Sequence, residues 1–204
     1  MFVIQLYDMN FISESSFRIK KEDCEYIISL FESNKDKQIE GRIGKQIIDK
    51  ETKNSTDISV HLDEIINYPE WIKCTEILFS GLSQHLDTYK LEHQSLNYLS
   101  RWGIEHSYNI QRYFPNQGFY KFHCENTGTK NCERVLAWMI YLNTIDDGGG
   151  TEFLDQNLTI KAEEGKIVIW PAGWTHMHRG VISKTETKYI ATGWYVLGEK
   201  NERC

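Results

Sequence analysis

After about residue 100 the chain breaks into short apolar or aromatic runs: "YNIQRYF", "GFYKFHCE", "RVLAWMIYLN", "GTEFL", "LTIKA", "GKIVIWP", "HMHRGVI" and "KYIATGWYVLG". Gly, Pro, Asn and Asp separate them. Many short strands with such punctuation predict a largely antiparallel sandwich or barrel. Eleven Tyr, nine Phe and six Trp suit sheet surfaces and aromatic-lined pockets.

The first half reads differently. "SSFRIKKEDCEYIISLFES" predicts a helix entered near Lys20, with Cys24, Ile27, Ile28 and Phe31 on one apolar stripe. "PEWIKCTEILFSGLSQHLDTYKLEH" predicts a second helix, opened by Pro69 and burying Trp71, Cys74, Leu78, Leu82, His85 and Tyr89. His85 is read as a packing residue. The polar stretch 33–60, with glycines at 41 and 44, predicts a turn, short strands or a mobile loop. No linker divides the chain, so 1–204 is expected to form one domain: a helical support region at about 15–90 and a β core at about 100–197.

A formal charge of −6 gives no general pull toward nucleic acid or an anionic membrane. Five widely spaced cysteines without a CxxC argue against a disulfide scaffold and for a reducing compartment. The opening "MFVIQLYDMN" has neither a basic leader nor a sustained apolar core. A cytoplasmic protein without a membrane span is the expectation.

Two stretches carry chemistry. In "FYKFHCEN" a strand would project His123 and Glu125 to the same face. "WPAGWTHMHRG" offers His176 and His178, again two apart. Two imidazoles and one carboxylate form a facial triad for a divalent ion, with positions left open for reactants; iron and zinc both accept this set. In "KTETKYIATGWY" a strand would align Lys188, Ile190, Thr192 and Trp194. An inward lysine there is expensive unless it meets an anion, and Thr192 offers a hydroxyl to the same anion.

With these residues the chain resembles the prolyl-4-hydroxylase-like branch of the Fe(II)/2-oxoglutarate-dependent dioxygenases. The family pattern is His-x-Asp/Glu, a distal His, and a basic residue about ten positions later. His123, Glu125, His178 and Lys188 match it, and the interval favours His178 over His176, which is held as second choice or as a neighbour of the ligands. "YFPNQGFYKFHCE", "YLN" and "DGGGTEF" extend the resemblance, which covers roughly 100–197 well and 15–90 loosely. It implies a double-stranded β-helix (jelly-roll, cupin-like) core, mainly β with supporting helices. It implies Fe(II) on His123, Glu125 and His178, and 2-oxoglutarate held by Lys188, Tyr113, Thr192 and Tyr141. O2 is the second cosubstrate, and ascorbate a reductant. Tyr120, Arg179, Trp194 and His176 fall at the pocket or substrate mouth. The branch usually has Asp where this chain has Glu125, one methylene longer, which implies slower turnover or looser metal retention.

The implied reaction is hydroxylation of an unactivated C–H bond, in this branch peptidyl proline at C4, coupled to decarboxylation of 2-oxoglutarate to succinate and CO2. A peptide or protein substrate is therefore expected. Loop 38–60 is the counterpart of the family's substrate loop, with Arg42, Lys45, Lys50 and Lys53 as contacts to an acidic or backbone-rich partner. Four alternatives stand beside this one. One is an oxygenase acting on a free amino acid, another side chain or a nucleobase. Another is a non-redox cupin-like module, which has little use for Lys188. The third is a thiol enzyme using Cys124, which a strand would turn away from His123. The fourth is a degenerate, inactive oxygenase, given Glu125.

Overall fold

The computed structural model describes residues 10–198. The opening run 1–9 and Cys204 lie outside them, as does the side chain of Lys45. The elements are β1 (Ser13–Glu14), α1 (Lys21–Ser33), β2 (Ile39–Glu40), β3 (Lys53–Asn54), β4 (Thr56–His61) and α2 (Pro69–Glu92), followed by β5 (Trp102–Ile104), β6 (Ser107–Tyr113) and β7 (Gly118–Phe119). Then come β8 (Arg134–Tyr141), β9 (Thr151–Phe153), β10 (Leu158–Ile160), β11 (Ile167–Pro171), β12 (His178–Gly180) and β13 (Lys188–Leu197).

The large sheet runs β1-β11-β8-β13-β6-β4-β2, with β5 also on β13. A small sheet runs β10-β9-β12, and β3 pairs β7. Every pairing is antiparallel. This is the jelly-roll fold expected, mainly β with two helices.

The large sheet is covered on both faces, which explains why "RVLAWMIY" and "IVIWP" are almost continuously apolar. Leu136, Trp138 and Ile140 of β8, with Ile167 and Ile169 of β11, join the helix-side core with Cys24, Phe31, Leu78 and Leu82. The alternate residues Ala137, Tyr141, Val168 and Trp170 join an inner core with Phe153 and Ile160 of the small sheet. Gly193 lets β13 pass the Trp138 indole; a Cβ there would stand 2.5 Å from Trp138 Cζ2.

Both helices bury the faces their periodicity predicts. In α2 these are Trp71, Cys74, Leu78, Leu82, His85 and Tyr89. In α1 Leu30 is buried while Ile28 sits at the margin. His85 is a packing residue: its Nε2 lies 3.1 Å from Ser13 O. Glu32 of α1 ties that helix to the sheet by accepting bonds from Arg112 (2.7 Å) and Tyr189 (2.8 Å). Of the alternatives for 33–60, the structure has turns and short strands. The end of this stretch, β4, pairs β6 along its whole length, with Ile58 and Val60 toward the helices. Among the described residues, no helix is long and apolar enough to cross a membrane.

Candidate metal and cosubstrate site

Between the two sheets lies a cavity of about 1170 Å³. His123, Glu125 and His178 line it, each offering a ligand atom within 4.8 Å of the others. These two histidines and one glutamate are the residues the resemblance singled out, but the backbone that presents two of them is not the expected strand. After β7 the chain takes partners from three places. Tyr120 N donates to Thr52 O, His123 exchanges both backbone bonds with His178 (2.9 Å each), and Glu125 N donates to Ala172 O. His123 and His178 form an isolated bridge, which sets the imidazoles side by side with ring centroids 4.4 Å apart.

The rings are oriented by their far nitrogens. His123 Nδ1 lies 3.1 Å from Lys121 O, and His178 Nδ1 lies 2.9 Å from His176 O. A carbonyl can only accept, so each Nδ1 carries the proton and each Nε2 presents a lone pair. The two Nε2 atoms stand 3.6 Å and 3.4 Å from Glu125 Oε1. Those gaps are wider than hydrogen bonds of good geometry and suit three donors converging on an ion between them. Phe119 stacks on His123 at 3.6 Å, and Trp170 packs edge-on to His178. Burial alone would raise the Glu125 carboxyl; where His123 and His178 are protonated, their charge beside it holds it well below its ordinary value.

The outer oxygen of Glu125 has its own holders. Trp194 Nε1 donates to Oε2 at 2.8 Å. Arg134 approaches the same oxygen at 3.6 Å, lies 3.5 Å above the Trp194 ring and reaches Glu105 at 3.4 Å. Asn131 Nδ2 donates to the Glu125 carbonyl at 2.6 Å. A glutamate has one more rotatable bond than an aspartate, and these contacts fix it.

His176 departs from expectation. It lies in a 3-10 turn, Trp174–His176, and not in a strand beside His178. Its Nε2 sits 2.7 Å from Asn10 O and its Nδ1 2.9 Å from Thr175 Oγ1, so both nitrogens are engaged away from the triad. It touches the site only through its carbonyl, which orients His178.

Lys188, Ile190, Thr192 and Trp194 of β13 all line the cavity, as alternation requires. Lys188 is 5% exposed, has no acidic partner among the described residues, and lies 4.8 Å from the centre of the Tyr113 ring. Burial pushes its ammonium down to about 8. Tyr113 also lines the cavity and donates to Gln111 Oε1 at 2.8 Å. Two other residues stand differently from the sequence reading. Thr192 Oγ1 donates to Trp138 O at 2.8 Å, so its hydrogen is engaged by backbone. Tyr141 is fully buried in the inner core and reaches the cavity through Thr151, 2.6 Å from its hydroxyl.

Tyr120 faces a separate hollow of about 330 Å³ with Glu152, Arg179 and Ile182, its hydroxyl donating to Asn116 O. Arg179 borders both spaces; its Nε pairs with Glu152 at 2.7 Å, and its guanidinium lies 4.4 Å from the Phe122 ring centre. Two of the loop cations are not free to meet a partner. Lys53 is buried and paired with Asp57 at 2.6 Å, and Lys50 pairs with Glu40 at 2.5 Å. Arg42 lines the cavity and is exposed.

Sequence reasoning missed a second polar cluster. Asp57 accepts from Lys53, from Ser55 at 2.7 Å and from Gln111 at 3.1 Å, and Gln111 in turn accepts from Tyr113. The signal was present in β6, "SYNIQRY", where Ser107, Asn109, Gln111 and Tyr113 alternate with Tyr108 and Ile110. Arg134 had no comparable signal, because a charge at the start of an apolar strand reads as solvent-facing.

The sequence profile of the 2OG-Fe(II) oxygenase superfamily matches residues 108–196, the segment that carries the triad and Lys188. The chain contains a 2OG-Fe(II) oxygenase domain. Solved structures share its fold over nearly the whole length. A viral collagen prolyl hydroxylase from Paramecium Bursaria Chlorella virus-1, in a 2OG complex, is 18% identical with a TM-score of 0.66, covering 95% of this chain and 99% of that one. A Trichoplax adhaerens prolyl hydroxylase, in complex with a hypoxia inducible factor oxygen degradation domain peptide fragment, is 16% identical with a TM-score of 0.68, covering 93% and 84%. A Pseudomonas putida prolyl-4-hydroxylase is 13% identical with a TM-score of 0.66, covering 93% and 94%. No curated protein sequence is significantly similar to the chain.

Proposed function

We propose that this oxygenase domain hydroxylates a C–H bond of a peptide or protein substrate, at C4 of a prolyl residue, consuming 2-oxoglutarate and O2 and releasing succinate and CO2. One oxygen atom of O2 enters the substrate hydroxyl and the other the succinate carboxylate. The observation that carries the reading is Lys188, a buried cation without an acidic partner among the described residues, in the same cavity as the His–Glu–His triad.

In this reading His123 Nε2, His178 Nε2 and one Glu125 oxygen hold Fe(II), which when bound supplies the activation of O2. The protein's own residues do the positioning. Lys188 binds the distal carboxylate of 2-oxoglutarate by a charge-assisted hydrogen bond in a dry setting. The Tyr113 ring walls the ammonium, and the Asp57–Gln111 pair holds the Tyr113 hydroxyl in one direction. Ile190 and Met139 line the cavity with apolar surface that limits water. Trp194 and Arg134 steady Glu125. Tyr141 supports the pocket wall through Thr151. Four free cysteines among the described residues suit a reducing, cytoplasmic setting, where ascorbate or a thiol would keep the metal ferrous. Kinship to prolyl hydroxylases in fold supports the choice of proline, and the non-redox alternative leaves Lys188 without a purpose.

The test is incubation with Fe(II), 2-oxoglutarate, O2 and proline-containing peptides, following succinate and peptide mass. Succinate produced in step with one added oxygen on proline is expected. Succinate formed without proline oxidation would reject the prolyl target.

A further inference from the structure

The walls of the cavity carry an imbalance of charge that the proposed chemistry does not use. Its acidic groups are all engaged: Asp57 with Lys53, Glu105 with Arg134, and Glu125 in the triad. Three of its cations, Arg42, Lys121 and Lys130, are exposed and have no ion-pair partner among the described residues. In a chain of net charge −6 this is a local reversal of sign.

Arg42 follows β2 at one end of the large sheet. Lys121 follows β7, which pairs β3, and beside it Tyr120 N donates to Thr52 O. Lys130 lies in the segment leading into β8. Ser107 and Asn109 of β6 and Ser59 of β4 also face the cavity. Hydroxyls and an amide suit peptide backbone.

We infer that this cavity selects an acidic peptide, with Asp or Glu beside the residue to be oxidised, held by the exposed cations Arg42, Lys121 and Lys130 that line it. The inference rests on the oxygenase reading above and adds the class of substrate. Its affinity falls with salt, because the three contacts are solvent-exposed.

The experiment uses fluorescein-labelled decapeptides with a central proline and Asp, Ser or Lys flanks. Each is titrated by anisotropy, without O2, against the protein loaded with Fe(II) and 2-oxoglutarate. The Asp-flanked peptide should bind roughly tenfold tighter than the Ser-flanked one at low salt, and within about twofold of it near 0.5 M NaCl. The Arg42→Ala/Lys121→Ala/Lys130→Ala protein should lose the preference while keeping the visible absorption of its iron–2-oxoglutarate chelate. Lys121→Glu/Lys130→Glu should favour the Lys-flanked peptide. Equal affinities for Asp and Ser flanks, or a preference that survives the triple substitution, would overturn the inference. An oligouridylate that binds tighter than the Asp-flanked peptide would overturn it in favour of nucleic acid. A missing chelate absorption with the acidic preference intact would refute the oxygenase reading and leave the peptide surface standing.

Discussion

Replacing Lys188 by methionine should stabilise the empty protein and cripple its binding of 2-oxoglutarate. Methionine has a similar length and no charge to desolvate. Burial lowers the Lys188 ammonium from 10.5 to about 8, which at 1.36 kcal/mol per unit corresponds to about 3 kcal/mol of lost stability. The unfolded chain keeps this proton up to its ordinary value, while the folded chain releases it near 8. The penalty is therefore complete below pH 8 and relieved as pH rises from there toward 10.5. Urea denaturation of metal-free protein should show Lys188→Met more stable than the parent by up to about 3 kcal/mol at pH 7, with the gap narrowing at pH 9.5. Binding should move the other way. Removing one partner of a buried ion pair costs roughly 3–5 kcal/mol, or about 10²–10³-fold or more in affinity. Calorimetry with 2-oxoglutarate and anaerobic Fe(II)-loaded protein measures this, and the parent's own affinity should weaken above pH 8 as the ammonium is lost. A variant that is no more stable at pH 7 and binds 2-oxoglutarate undiminished would refute the assignment of Lys188 as a cation kept for an anionic ligand.

Trp194→Phe removes the 2.8 Å bond to Glu125 Oε2; Fe(II) affinity should fall roughly 10–100-fold in a chelator competition, with 2-oxoglutarate affinity at saturating metal little changed. Lys53→Met leaves the buried Asp57 without its cation and should cost roughly 3–5 kcal/mol in denaturant midpoint analysis, most of it recovered in Lys53→Met/Asp57→Asn.

The parts of the fold that were legible are those whose burial repeats along the chain. The α2 face from Trp71 to Tyr89 follows helical period, and β8 and β11 announce burial on both faces by unbroken apolar runs. Strand β4 was read only as part of a polar stretch because Asp57, Ser59 and His61 face a polar cavity, so only Ile58 and Val60 carry the apolar pattern. The triad was legible from spacing, yet its backbone was not. The hydrogen bonds that hold His123 and Glu125 come from His178 and Ala172, far along the chain. His176 and His178 are equivalent as letters; the family's interval to Lys188 favours His178, and the turn at Trp174–His176 and the Asn10 carbonyl give the physical reason. Lys53 looked like a loop cation because its partner Asp57 meets it only after β3 and β4 form.

The most direct test of the whole account is an anaerobic titration of metal-free protein with Fe(II), then 2-oxoglutarate, followed by visible absorption. The account predicts a metal-to-ligand charge-transfer band that saturates at one iron per chain, is absent from His178→Ala, and in Lys188→Met needs far more 2-oxoglutarate to appear. Stoichiometric iron binding by the folded protein with no band at any 2-oxoglutarate concentration would contradict it.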